Sequence, residues 1–290
     1  MTKIKKQDSL SKYLSKEDIK VINDLKSSIE EDEIVVTCMG LYNHGKSSLL
    51  NALIKDFKGK TFQTADVRKT TKSKKVKYKN LIYRDTPGLN AQKNDDKRVM
   101  DVVKQSDINI FVHNVNTGEF VAKEMEFFHR IKKHWDNPIE FIERTIFVLS
   151  RIDEANNIDD IENTALKIQQ QIQEVFSINT QVIPISSKDY IDGMVEDEKE
   201  LVEESMIPVL EKNIISLSDN LKESIKQTKQ NRLFNHYNSL IKKLQAKAEE
   251  QKLELSKLKK EQKKIEIELQ EDISKIKSTL KQKYETLRGI

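Results

Sequence analysis

Five short runs in this 290-residue chain carry residue types that together would handle a polyphosphate and a base. The first is GLYNHGKS, in which Gly40 and Gly45 stand five apart and Lys46, Ser47 and Ser48 follow directly. Only seven glycines occur in the chain, so two within six residues mark backbone that turns tightly and approaches something closely. Such a bend turns its N–H groups onto phosphate oxygens, and a helix behind it aims its positive end at the same anion. Lys46 would reach the β- and γ-phosphates, and the Ser47 hydroxyl would bind Mg²⁺. A second run, YRDTPGLN, offers Asp85 to that ion through water and the Gly88 N–H to the terminal phosphate. Between the two lies VRKTTKSKK, where a threonine of the Thr70 and Thr71 pair would fold over the nucleotide and complete the magnesium site. FVLSRIDE and PISSKD close the set with Ser150, Arg151 and Asp153, and with Ser186, Ser187 and Lys188.

Bringing these runs together requires a sheet whose strands end at one edge. The segments at 33–40, 80–85, 108–115, 144–150 and 181–186 are short, β-branched and bounded by turn residues, which reads as buried strands. Helical spacing near 46–56, 93–105, 119–133 and 158–175 falls between them. That alternation implies right-handed crossovers and a three-layer α/β fold with a mainly parallel sheet. Its strands then deliver the functional runs to their carboxyl ends, where open α/β sheets bind ligands. KKVKYKN reads as an edge strand with Val76 and Tyr78 inward and lysines outward to block strand addition. With Arg68 and Lys69, those lysines form the most basic short stretch of the fold, and a partner-binding patch is the alternative reading.

From Ser15, SKEDIKVINDLKSSIEED reads as one amphipathic helix, capped by Ser15 or its neighbour and with Glu17 in the first turn. At the other end the breakers vanish: all four prolines and six of the seven glycines precede residue 209. The chain therefore divides into an N-terminal helix at 1–30, a nucleotide-binding domain at 31–198 and a long α-helical, coiled-coil-like region at 199–290. From Tyr237 to Ile276 apolar residues recur in steps of three and four, broken at Gln251, Gln262 and Asp272. A seam of this kind wants a partner helix, which could be 199–228, the N-terminal helix or another chain. Residues 221–290 hold 18 basic and 10 acidic side chains, a solvated face or one suited to anionic lipid or RNA.

Composition narrows the class further. A 37% hydrophobic content supports one sizeable core, while 34% charged residues leave part of the chain outside it. The net charge of +4 does not by itself argue for nucleic acid. Cys38 is alone, which excludes a disulfide framework and points to a reducing cytoplasm. The basic N-terminus is followed by no apolar leader segment, and no membrane-length apolar run occurs, so the protein is expected to be cytoplasmic or at most peripheral to a membrane. No metal-ligand spacing or nucleophile triad stands out. His113 and Trp135 read as packing residues.

With these motifs, the stretch from about 31 to 195 resembles a P-loop GTPase of the translation-factor-related class, nearest to the dynamin-like and Era/TrmE-like groups. GxxxxGKS matches at 40–47, the Thr-Thr pair at 70–71, DTPG at 85–88, a variant of N/TKxD at 150–153 and a variant of SAK at 186–188. GLYNHGKSSLLNAL and DTPGLN are especially similar to the bacterial dynamin family. The resemblance implies GTP/GDP and Mg²⁺ as ligands, with Ser47, Thr71 and Asp85 on the metal. It places Gly40, Asn43, His44, Gly45, Lys46, Ser47, Ser48 and Gly88 along the phosphates. Lys46, Thr71, Gly88 and Asn43 would then serve catalysis. Thr71 is preferred over Thr70 because related GTPases keep the switch threonine second in such a pair. Guanine selection rests on Asp153, whose carboxylate accepts from the ring N–H and the exocyclic amine, which adenine cannot match. Ser150 and Arg151 replace the family's Asn or Thr and its Lys, and a guanidinium stacks on a base as a lysine stem does. Ser187 replaces an alanine, its N–H still available to the guanine oxygen.

Leu89 occupies the position where Ras-like GTPases keep a water-orienting glutamine, so hydrolysis needs positive charge from elsewhere. An asparagine at the position of Asn43 helps hold K⁺ in GTPases resembling Era and TrmE, whereas dynamins carry a serine there and assemble their site across a dimer. The expectation is a GTP hydrolase activated by K⁺, by dimerisation or by both, with nucleotide state coupled to assembly through the tail. A homodimer or a partner subunit would meet that tail. Dynamin-like proteins usually carry a longer stalk and a lipid-binding tip, and this chain ends before either, so membrane remodelling would need a partner subunit. The alternatives are a GTP-binding switch or scaffold with negligible turnover, and an RNA- or ribosome-associated GTPase.

Overall fold

A computed structural model describes residues 13–30, 33–62, 74–86, 89, 102–135 and 137–288. Thr70, Thr71, Gly88 and most of the helix expected at 93–105 lie outside the described residues. The chain separates into two units, Ser28–Thr228 and the pair Met1–Ser27 with Lys229–Ile290.

In the first unit, strands β1 (Ile34–Met39), β2 (Lys75–Tyr78), β3 (Leu81–Asp85), β4 (Ile108–Asn114), β5 (Thr145–Ser150) and β6 (Val182–Ile185) form a sheet in the order β2-β3-β1-β4-β5-β6. All neighbours are parallel except β2, which runs antiparallel to β3 at the edge. The register pairs Cys38 with Asp85, Met39 with Phe111, Asn114 with Ser150 and Ser150 with Ile185. Those pairings bring the ends of β1, β3, β5 and β6 to one edge.

Alternation along the strands fills two cores. Val36, Cys38, Ile110, Val112 and Val148 face one side, where they join Leu49, Leu50 and Leu53 of α2 (Lys46–Leu53) and Tyr190 of α6 (Ser187–Glu196). Met39, Phe111, Phe147 and Leu149 face the other. There they meet α3 (Ala122–His134), α4 (Pro138–Glu143) and α5 (Ile158–Phe176) through Phe127, Phe128, Phe141, Ile168 and Ile172. Helices therefore cover both faces and the sheet is the middle of three layers. The short α4 and α6 carry too few turns for periodicity to reveal them, while α7 (Lys199–Glu204) opens the region expected to be helical from 199.

The last helix, α8, runs from Ile207 to Arg288, 82 residues. Its first turns belong to the sheet-bearing unit: Ile207, Leu210, Ile214 and Ile225 are buried in the first core. Arg144, just before β5, donates to Ser224 Oγ at 2.8 Å and Thr228 Oγ1 at 3.0 Å.

In the second unit, α1 (Lys16–Glu30) starts on a reciprocal cap. The Asp18 N–H donates to Ser15 Oγ at 3.0 Å, and Ser15 Oγ donates to Asp18 Oδ2 at 2.7 Å. Ile22 of α1 and Leu240 of α8 are buried, and Asp18 lies within electrostatic reach of Lys243 and His236. Further along α8, Leu255, Leu258, Ile265, Leu269 and Ile276 are 53 to 63% exposed. Among the described residues no helix is long and apolar enough to cross a membrane.

Candidate functional site

The phosphate loop is built where β1 ends. At Gly40 (φ 145°) a Cβ would stand 2.2 Å from the Val112 carbonyl oxygen of β4, so any side chain there pushes the loop off the sheet. Gly45 (φ 82°) precedes α2, and among the described residues no side chain caps that helix, whose first amides are therefore suited to an anion. Lys46 is buried, and its Nζ donates to the Leu41 carbonyl at 2.6 Å. Burial holds the ammonium below its ordinary pKa, while nearby Asp85 pulls the other way. Ser47 Oγ donates to Asp85 Oδ2 at 3.2 Å. Asp85 is itself buried, which raises its pKa against the lowering charge of Lys46. Its Oδ1 has no hydrogen-bond partner among the described residues. Ser48 follows in the first turn of α2, half-buried.

Three contacts lash the end of β3 to this loop. Thr86 Oγ1 donates to the Cys38 carbonyl at 2.8 Å, Leu89 N donates to the Gly40 carbonyl at 3.1 Å, and Leu89 and Leu41 form an isolated parallel bridge. Leu89 is 2% exposed, its side chain packed in the second core. Asn51 of α2 holds both the N–H and the carbonyl of Phe62, at 2.9 and 2.8 Å.

The residues that the sequence assigns to a base gather at the ends of β5 and β6. Asp153 sits exposed in a single 3₁₀ turn, Ile152–Glu154, and its Oδ1 accepts from Ser186 Oγ at 2.9 Å. The same Ser186 Oγ accepts from Asp189 N at 3.0 Å, capping α6 while it orients the carboxylate. Ser187 opens α6, and Lys188 is exposed beside it. Ser150 is buried, with its hydroxyl 2.8 Å from the His44 carbonyl and 2.9 Å from the His113 carbonyl. It can donate to one of them at a time, which ties β5 to the phosphate loop rather than aiming the hydroxyl at a base. Arg151 (φ 62°) donates from Nη2 to Asn43 Oδ1 at 3.1 Å and from Nη1 to Glu154 Oε1 at 3.0 Å. Sequence reasoning put Arg151 on the base and Asn43 on a cation; the fold brings the two side chains to each other.

His113, read from sequence as a packing residue, is buried against Glu124 and next to His44. Burial pushes the His44 pKa down to about 3, helped by His113 and Lys46. No linear spacing announces this group, since its members come from the loop, a strand end and the third residue of α3.

A phosphate loop between the first strand and the first helix of a mainly parallel sheet, with Asp85 across from Ser47, defines a P-loop nucleotide-binding domain. The chain belongs to the 50S ribosome-binding GTPase family, whose model matches residues 35–181, half of its length, and it is thus a P-loop GTPase with a GTP-binding domain. An uncharacterized protein of Acinetobacter baylyi (strain ATCC 33305 / BD413 / ADP1) is 31% identical over 178 residues, 60% of this chain. The matched part spans about 40% of that relative's length. Toc33 from Arabidopsis thaliana, in complex with Mg²⁺ and GMPPNP, aligns with a TM-score of 0.50 at 17% identity, over 73% of this chain and 96% of its own. A chain of an oligomerised bacterial dynamin pair, described as a mechanism for long-range sensing and tethering of membranes, also reaches 0.50 at 15% identity, over 96% of this chain and 61% of its own. At these identities the likeness to the two structures is one of fold.

Proposed function

We propose that this protein hydrolyses GTP to GDP and phosphate with Mg²⁺, and that its nucleotide state governs assembly through α8. The observation that carries the reading is the pairing of Ser47 with Asp85 beside the buried Lys46 ammonium. A hydroxyl and a carboxylate with one unpartnered buried oxygen suit a hard divalent cation, and Ser47, Asp85 and Thr71 would hold it. When bound, that ion neutralises charge on the β- and γ-phosphate oxygens. Lys46 would exchange the Leu41 carbonyl for a phosphate oxygen, a swap of one acceptor for a charged one. The amides at Gly45 and the start of α2 line the same anion, with His44 at the border. Asp153, held by Ser186, accepts from guanine, while the N–H of Ser187 and the stem of Lys188 complete the base pocket.

Leu89 offers no group to orient water, so turnover depends on added positive charge. Asn43 Oδ1 and a bound K⁺ form one candidate, and a dimer partner another. The contact from Arg151 to Asn43 favours a third source, a guanidinium supplied within the chain, which K⁺ would have to displace. The exposed apolar residues of α8 and the fold shared with a dynamin pair support assembly as a homodimer or with a partner subunit, in the cytoplasm or on an anionic membrane. The family description keeps a ribosome-associated role as the second reading.

Phosphate release from GTP, compared in Na⁺ and K⁺ across protein concentrations, tests the proposal. Turnover that rises with concentration supports assembly-linked hydrolysis, and a K⁺ requirement lost in Asn43→Ala supports the ion. Absence of turnover under every condition leaves a non-hydrolysing GTP switch. Co-sedimentation with ribosomes but not with anionic liposomes would favour the second reading.

A further inference from the structure

Where His44 borders the phosphate loop, its side chain is buried in a cluster of potential metal ligands. His44, His113 and Glu124 come together with 6, 1 and 0% of their surfaces exposed. His113 Nε2 stands 2.8 Å from the Gly118 carbonyl oxygen, and its Nδ1 stands 2.9 Å from Glu124 Oε1. Glu124 Oε2 is already engaged, accepting from the Val121 N–H at 3.1 Å. His44 Nδ1 is 3.7 Å from the same Glu124 Oε1 and has no hydrogen-bond partner among the described residues.

Proton positions limit what the three side chains can hold. A carbonyl only accepts, so His113 Nε2 carries the hydrogen and donates to Gly118. In a neutral ring, Nδ1 then presents a lone pair toward a carboxylate oxygen, which also accepts. An extra proton must sit between them, and His44 Nδ1 stays unsatisfied even so, at the cost a buried orphan polar atom carries. A divalent cation in place of that proton satisfies all three atoms at once.

We propose that His44 Nδ1, His113 Nδ1 and Glu124 Oε1 form a site for a transition-metal ion of the Zn²⁺ class, joining the phosphate loop to β4 and α3. One ligand atom from each of the three residues lies within 4.8 Å of the other two. Ligands about 2.0–2.2 Å from a tetrahedral ion stand roughly 3.3–3.6 Å apart, and the separations of 2.9 and 3.7 Å straddle that value. Gly118 fixes the His113 tautomer and the Val121 N–H orients Glu124, the outer contacts that metal-ligating histidines and carboxylates depend on. Two imidazole nitrogens select against Mg²⁺, so the site is chemically distinct from Ser47 and Asp85. It stands independently of whether GTP is hydrolysed.

The test uses the full chain without a histidine tag, treated with chelator and titrated with Co²⁺ as a coloured stand-in for Zn²⁺. One Co²⁺ per chain should give tetrahedral visible absorption that one equivalent of Zn²⁺ bleaches. Glu124→Gln, which keeps the helix cap, and His44→Asn should each weaken binding by about 100-fold or more, whereas Ser47→Ala should keep the absorption. In the unmutated chain, Zn²⁺ should shift the ring ¹⁵N resonances of His44 and His113. Absence of the absorption, unchanged binding in both variants, or shifts confined to the exposed His129 and His134 would overturn the site.

Discussion

At Asp153, the residue proposed to select guanine, the carboxylate is held by a neighbour. Ser186 holds one carboxylate oxygen at 2.9 Å while capping α6, so Ser186→Ala leaves the carboxylate free to rotate. Isothermal titration should then show GTP binding about tenfold weaker, the loss of one hydrogen bond to a charged group. Asp153→Asn places an amide donor where a carboxylate accepted, so competition assays should show preference moving from GTP toward xanthosine triphosphate, whose corresponding position is a carbonyl. Cys38 makes a different kind of prediction. Its thiol is fully buried and burial pushes its pKa far up, so the native chain should resist thiol reagents at neutral pH and react only on unfolding. That Gly40, Lys46, Ser47 and Asp85 meet at one sheet edge was legible in sequence because the phosphate-loop motif fixes residue types at short, local spacing. The contact of Arg151 with Asn43 joins residues 108 apart in sequence and left no trace. The cluster of His44, His113 and Glu124 was hidden for the same reason.

Strands were the most legible elements, since a parallel sheet buried on both faces writes itself as continuous β-branched runs. The edge strand β2 was readable too: Val76 and Tyr78 pack against the first core while Lys75 and Lys77 are exposed. The short α4 and α6 were not readable, and the first turns of α8 look like tail in sequence yet complete the first core. Within the second core, Phe111 touches Phe120, Phe127, Phe128 and Phe147 with ring centroids 4.7 to 6.0 Å apart. Phe111→Ala should therefore cost about 3–5 kcal/mol in urea unfolding. For α1, the Ser15 hydrogen bond holds the Asp18 carboxyl below its ordinary pKa. A depressed pKa means the cap contributes fully above the unfolded carboxylate value of about 3.9 and is lost as pH falls through the folded value. Amide exchange across α1 should accelerate in that acid window, and Asp18→Asn should remove the pH dependence.

For the whole molecule, the question is what nucleotide binding accomplishes. If the exposed apolar residues of α8 carry the proposed assembly, Leu258→Glu combined with Ile265→Glu should lower the mass seen by light scattering and flatten the concentration dependence of turnover. Both effects presuppose that the loop from Gly40 to Ser47 takes a triphosphate and that Asp153 chooses guanine. Calorimetry with Mg²⁺ examines that directly. One GTP should bind per chain, ATP at least about 100-fold more weakly, and Lys46→Ala should bind neither. No heat on adding GTP, or ATP bound as tightly as GTP, would contradict the account.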